Sequence, residues 1–187
     1  DGAMVIEAID RSIDAAMGGS AAGMTTNPIQ KSRLYDAGFT APGHTEYLGE
    51  RAGLDAPPVM LLACPNLKVV PVTIHLPLKD AISALTTSEI VRTLELTIAS
   101  LKYDFGVPHP RIAVSGLNPH AGESGHMGRE EIDVISPAIE HVKGPNMDII
   151  GPLAGDTMFH EAVRGTYDVA VCMYHDQALI PMKTLDF

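Results

Sequence analysis

The sequence has only two cysteines, no run of lysine or arginine, no apolar stretch of membrane-spanning length and no GxGxxG loop. Each lack removes a class of function. Cys64 and Cys172 stand far apart in the apolar runs VMLLAC and DVAVCMYH, so neither a CxxC metal site nor a disulfide is expected. Two reduced, buried thiols and a cytoplasmic setting are expected instead. With 13 Lys+Arg against 23 Asp+Glu, the formal charge is -10. Nucleic acids and anionic membranes are bound by clustered positive charge, which this sequence does not offer, so neither is an expected partner. Small molecules are. The opening DGAMVIEAID has neither the basic nor the hydrophobic region of a signal peptide, and no segment has the length of a bilayer span. A soluble, non-secreted chain follows. No repeat, low-complexity tract or linker is evident, so residues 1–187 are read as a single compact piece.

What is present is the composition of a globular domain: 45% hydrophobic and 19% charged residues exclude a disordered chain. Val5, Ile6, Ile9, Ile13, Ala16 and Met17 recur near helical spacing before Gly18-Gly19. Residues 21–26 read as a short strand closed by Asn27-Pro28, and 32–37 as a helix stopped by Gly38. The β-branched runs 59–64 and 69–75 predict two strands joined at Pro65-Asn66. Ile90, Val91, Leu94, Ile98 and Leu101 predict a helix over 88–104, with Thr87 and Ser88 as cap candidates. A strand at Arg111–Ser115, a helix over 129–142 interrupted at Pro137, a strand over 147–150 and a short helix over 156–164 follow. The strand over 167–174 is apolar without alternation, as where both sheet faces are covered. This alternation predicts an α/β fold, an α/β/α sandwich on a mixed, mostly parallel sheet.

Three of the eight histidines close predicted strands: His75 in VVPVTIH, His120 in RIAVSGLNPH and His175 in DVAVCMYH. Ligands of open α/β sheets bind outside the carboxyl ends of the strands, so all three imidazoles are expected at one edge. Three neutral imidazoles leave zinc an open position for water or substrate, the arrangement of a catalytic site. Asp156 and Asp176 are candidates to orient the rings by accepting from their other nitrogens. A single histidine at such a place is commonly just a polar loop residue. Pattern alone leaves that reading open, and equally a metal-dependent hydrolase that activates water. His109, His126, His141 and His160 are assigned to structural or surface roles.

The segments TTNPIQK, PGHTEYLGE, TIHLPLKD, GLNPHAGESGHMGREEID, DTMFH and MYHDQALIPMKTL cover nearly the whole chain. In order and spacing the sequence resembles the 4-hydroxythreonine-4-phosphate dehydrogenase (PdxA) family. GLNPHAGE and MYHDQ are long and unusual enough to make a chance pair implausible. The resemblance implies an isocitrate/isopropylmalate dehydrogenase-like fold and a homodimer whose divalent-metal ligands, His75, His120 and His175, are drawn from both chains. It implies substrate binding by His44, Thr45 and Lys183, and support of the active site by Asp156 and Asp176. GHTE also reads as a helix start, whose free N–H groups suit an anionic ligand. A lone lysine such as Lys183 is ordinarily a solvated residue; its place in the motif is what assigns it.

By the same resemblance, the activity is metal-dependent oxidation and decarboxylation of 4-phosphohydroxy-L-threonine with NAD or NADP, giving 3-amino-2-oxopropyl phosphate for vitamin B6 synthesis. Zinc is the expected metal, with cobalt, magnesium or manganese as alternatives. Alternative readings are a related dehydrogenase of another phosphorylated hydroxy acid or a cis-dihydrodiol, and a non-catalytic metal-binding, dimerising fragment. The family chain begins with a strand and a glycine- and proline-rich turn that do not precede Asp1, and continues past Phe187 with most of its dinucleotide site. The sequence is therefore expected to be the central substrate- and metal-binding, dimerising part of a two-subdomain enzyme, and no cofactor-binding residue is assigned.

Overall fold

The computed structural model describes residues 2–144 and 147–186, apart from the side chains of Glu161 and Ala162. The chain divides into two compact units, Asp1–Pro58 and Val59–Phe187, where the sequence suggests one piece. The first unit is helical. The apolar stripe predicted at its start forms α1 (Gly2–Met17), which buries Ile9 and Ile13. α2 (Lys31–Asp36) and α3 (His44–Arg51) follow, and Leu34, Phe39 and Ala41 form a small core with Ile6, Ile29 and Tyr47. Tyr47 Oη donates to Asp10 Oδ1 at 2.6 Å, fastening α3 to α1. The strand expected over 21–26 is not formed. That segment is largely exposed, and the unit has no strand among the described residues to pair with it.

The second unit is built on a five-stranded sheet. β1 (Leu62–Cys64) and β2 (Leu67–Pro71) form the expected hairpin across Pro65-Asn66. α4 (Leu78–Ala84) and α5 (Thr87–Tyr103) lead to β3 (Arg111–Ser115). Thr86, one residue before the expected caps, closes the start of α5 by accepting from Glu89 N. A π-helical turn at Glu131–Ile135 runs into α6 (Ser136–Val142), so the predicted interruption near Pro137 takes the form of a change of helix type. β4 (Asp148–Leu153), α7 (Glu161–Arg164), β5 (Val169–Cys172) and α8 (His175–Leu185) complete the unit. Of the helix expected over 156–164 only α7 is helical; the residues before it form turns.

The strand order is β1-β2-β5-β3-β4, antiparallel at β1 and parallel elsewhere. β5 occupies the centre with all four residues buried, which explains its unbroken apolar sequence. Val169 and Val171 face one layer with Ile90, Leu94, Leu101 and Ile139 of α5 and α6; Ala170 and Cys172 face the other with Ala178 and Met182 of α8. Helices on both faces of a mixed, mostly parallel sheet give the expected sandwich. Because β2, β5 and β3 run parallel, their carboxyl ends share one edge and their starts share the opposite edge.

Candidate metal and substrate site

β2 and β5 are neighbours, so the segments leaving their carboxyl ends run side by side. Val72 N donates to Cys172 O at 2.8 Å, and Thr73 donates to Met173 O from both its amide, at 3.2 Å, and its hydroxyl, at 2.8 Å. This pairing carries His75 and His175 to the same place, with ring centroids 5.6 Å apart. His175 opens α8, and its Nδ1 lies 2.7 Å from Asp176 Oδ1. A carboxylate that accepts from Nδ1–H fixes the ring and presents Nε2 outward, as in metal-binding imidazoles. The two rings and Asp176 border a small cavity of about 230 Å³.

His120 leaves the next strand, β3, and arrives on the other side of β5. Residues 120 to 125 all have positive φ, from 43° at Glu123 to 91° at Gly125, forming a left-handed turn. For L residues this conformation costs roughly 1–2 kcal/mol each, so the surroundings must hold it. The buried carboxylate of Glu131 contributes to that. Its Oε1 accepts from the amides of Leu117 and Asn118 at 2.8 and 2.7 Å, and its Oε2 accepts from Asn118 Nδ2 at 3.0 Å. Gly122, at φ 79°, must lack a side chain, because a Cβ there would stand 2.5 Å from Glu131 Oε2.

His120 borders a larger cavity, of about 780 Å³, with Asn118, Asp156, His160, Asp176 and Gln177. Asp176 and Tyr174 border both cavities. All three candidate histidines thus sit at the expected edge, yet only His75 and His175 adjoin. Among the described residues of the single chain, no three metal-capable side chains are placed to hold one ion together. Strand order keeps His120 from His75, since β5 lies between β2 and β3. β3 and β5 are neighbours, and His120 is carried away from the end of β3 by the left-handed turn.

His160 and Gln177 were not singled out by sequence. His160 resembles any exposed histidine, while Gln177 had one usable signal, its place directly after His175-Asp176. Lys183 is exposed near the end of α8 and does not border the larger cavity. It follows Asp176 and Ile180, which do, at helical spacings of seven and three, and so extends their helix face.

His44 and Thr45 lie in the first unit, as the first two residues of α3. Gly43 is the cap of this helix and makes no side-chain hydrogen bond to its first amides, so Thr45 is not the cap. His44 borders a cavity of about 460 Å³ with Thr25, Thr26 and Asn27, and its Nε2 is shut from solvent with no hydrogen-bond partner among the described residues. Both thiols are free, Cys172 buried and Cys64 only half-buried. Burial pushes the Cys172 thiol far above its ordinary range, leaving it protonated and unreactive. Among the described residues no helix is long and apolar enough to cross a membrane.

The family described as pyridoxal phosphate biosynthetic protein PdxA matches residues 1–187. The 4-hydroxythreonine-4-phosphate dehydrogenase of Bradyrhizobium diazoefficiens is 54% identical over 185 residues, covering 97% of this chain and 54% of that protein. Its counterpart from Paracoccus denitrificans is 53% identical over 188 residues, covering 98% and 58%. A crystal structure of a 4-hydroxythreonine-4-phosphate dehydrogenase from Burkholderia phymatum superimposes with a TM-score of 0.87 at 38% identity, over 100% of this chain and 56% of that one. A terephthalate 1,2-cis-dihydrodiol dehydrogenase from Burkholderia xenovorans LB400 gives 0.80 at 27% identity, over 98% and 57%. The sheet and its helices are accordingly of the isocitrate/isopropylmalate dehydrogenase-like kind. The chain spans little more than half the length of the curated relatives it matches. A sequence matched from end to end, with the histidine-bearing loops held at one edge of the same sheet, belongs to the PdxA family.

Proposed function

We propose that the protein containing this chain is a metal-dependent dehydrogenase that oxidises and decarboxylates 4-phosphohydroxy-L-threonine with NAD or NADP, giving 3-amino-2-oxopropyl phosphate for pyridoxal phosphate synthesis. The observation that carries this reading is the group of His75, His175 and Asp176 at the carboxyl ends of β2 and β5. Two imidazoles, one of them oriented by a carboxylate, suit zinc, cobalt or manganese; magnesium favours an oxygen-rich set and fits these nitrogens less well. With one chain bringing two imidazoles together and leaving His120 apart, a homodimeric site completed by a second chain accounts for all three ligands. A bound divalent ion would lower the pKa of a coordinated hydroxyl and draw electrons from the later carbonyl.

The protein residues supply position. The larger cavity, at about 780 Å³, is of a size for a small phosphorylated amino acid. Gln177 and Glu131 fix its loops. His44, Thr45 and Lys183 are assigned to the substrate, whose phosphate and carboxylate call for cations and free amides. Asp156 and Asp176 maintain the charge and orientation of the site. The two free thiols support a cytoplasmic setting. A cis-dihydrodiol substrate has weaker support, because the relative named for such a compound is 27% identical against 38% for the Burkholderia phymatum enzyme.

The test is absorbance of reduced cofactor when the intact protein meets 4-phosphohydroxy-L-threonine, with and without a chelator. Cofactor reduction that chelation abolishes and added zinc or manganese restores is the expected result. Reduction that survives full metal removal overturns the metal role, and no reduction with this substrate overturns the substrate assignment.

A further inference from the structure

The sheet edge opposite the histidines holds another cavity, of about 610 Å³, between the β1–β2 turn, the start of β3 and the passage from α7 into β5. Its charge runs against that of the chain. With 23 acidic and 13 basic residues overall, an average stretch of this surface has more carboxylates than cations. This wall has Lys68, Arg111 and Arg164 with one carboxylate, Asp168.

The three cations are not equivalent. Arg111 is committed to the fold: Nη2 donates to Asp168 Oδ1 at 2.8 Å, Nε to Oδ2 at 3.3 Å, and Nη1 to Gly165 O at 3.3 Å. The backbone amide of Arg111 also donates to Asp168 Oδ2, at 2.8 Å, so Asp168 is bonded to Arg111 through both side chain and backbone. Lys68 Nζ lies over the Phe105 ring at 5.6 Å and has no ion-pair partner among the described residues. Arg164 is less settled still. Its Nε is shut from solvent and finds no hydrogen-bond acceptor among the described residues. An unmatched donor is costly, so the guanidinium, on a residue that borders the cavity, gains by turning toward an anionic oxygen there.

We propose that this cavity binds a small organic dianion of the phosphomonoester class, held by Arg164 and Lys68. Arg164 and Lys68 have no hydrogen-bonded carboxylate among the described residues, and Asp168, which attracts Lys68, is already bonded to Arg111. The wall therefore keeps an excess of positive charge that suits a phosphomonoester, about doubly charged at neutral pH with three acceptor oxygens. The cavity is far larger than a phosphate ion and lies within the range of roughly 300–1,000 Å³ typical of small-molecule sites. Leu185, Tyr167 and Pro65 give the organic portion apolar surface. The intervening strands, of four or five residues, put this site roughly 15 Å from the histidine edge, so its occupant does not displace a ligand there. The assignment stands apart from the proposed activity.

The test is calorimetric titration of the intact protein with inorganic phosphate and with glycerol phosphate, chloride holding the ionic strength constant. Saturable binding is expected, weakened about tenfold or more by Lys68→Gln and by Arg164→Gln. Arg11→Gln, exposed on α1, should leave it unchanged. Because the proposed function places a phosphate group near Lys183, the titrations are repeated in Lys183→Ala. Binding that persists there and falls with Arg164→Gln belongs to this cavity. Binding lost with Lys183→Ala but kept in both Lys68→Gln and Arg164→Gln, or no saturable binding at all, overturns the proposal. Thermal melts establish that each variant is folded; should Arg164→Gln not fold, Lys68→Gln alone decides.

Discussion

The side-chain amide of Gln177 donates to the carbonyl oxygen of Gly116 at 2.8 Å, tying the first turn of α8 to the loop that leads to His120. Its Oε1 accepts from Met173 N at 2.7 Å, so one side chain joins the exits of β3 and β5. Gln177→Ala removes both bonds, leaving the amide of buried Met173 without this acceptor and the Gly116 carbonyl with only the Ser115 hydroxyl. The expected loss is about 1–3 kcal/mol in denaturant unfolding. Metal affinity should fall with it, since His175 and His120 lose their common anchor. Gln177→Glu keeps the acceptor and loses the donor, so its defect should be intermediate in calorimetric metal titration. Unchanged metal affinity in Gln177→Ala would restrict Gln177 to a structural role.

The left-handed turn after β3 makes a prediction of opposite sign. Ser124 sits at φ 56° and is exposed, so Ser124→Gly relieves backbone strain without removing buried surface. Glycine also gains freedom in the unfolded chain, which offsets part of the benefit. A net stabilisation of about 0.5–1 kcal/mol is expected in chemical denaturation. Gly122→Ala, forced against Glu131, should destabilise by several times as much. A destabilised Ser124→Gly would show that this turn is not left-handed.

Much of this arrangement was legible because apolar periodicity reports which face is buried. β5 and α5 could be read from Val169–Cys172 and from Ile90, Leu94 and Leu101 for that reason. What escaped depends on partners far along the chain. Residues 21–26 have strand-like composition, but pairing is a property of two segments, and the second is missing among the described residues of that unit. The histidines followed strand ends as read, yet their grouping depends on strand order. Sequence cannot reveal that β5 inserts between β2 and β3, bringing His75 to His175 and keeping His75 from His120. Glu131 was equally hidden, because a buried glutamate serving three loop donors looks like any charge in GREEID.

The Arg111–Asp168 pair sets a pH dependence. Hydrogen bonds from Arg111 hold the Asp168 carboxyl below its usual range, against the opposing effect of burial. A carboxylate whose pKa is lowered on folding contributes stability that is complete above its unfolded value, near 4, and is lost as pH falls through the lower folded value. Arg111 is partly exposed, so solvent limits the pair to about 1 kcal/mol. Asp168→Asn should therefore be less stable than the parent by about that amount at neutral pH. The two unfolding curves should converge below about pH 4. A difference that stays constant down to pH 2 would show that packing, rather than charge, holds this corner.

The adjacency of His75 and His175 makes a distinct prediction about how a shared metal site divides between two chains. His75→Ala, His120→Ala and His175→Ala should each lose most bound metal, while His109→Ala and His141→Ala should keep it. In a two-fold dimer whose site takes the adjacent pair from one chain and His120 from the other, the single variants can rescue one another. A mixed dimer of His75→Ala with His120→Ala has one site built wholly from unaltered ligands and one lacking two. Random assortment of equal amounts therefore restores about a quarter of the sites. Mixing His75→Ala with His175→Ala should restore none, because the two losses fall in the same half of the site on opposite chains, so every site lacks one ligand. The measurement is metal content after the two variants are unfolded together, refolded and dialysed. Recovery in the second mixture would mean that His75 and His175 reach the metal from different chains, and recovery in neither would mean that the site is not shared.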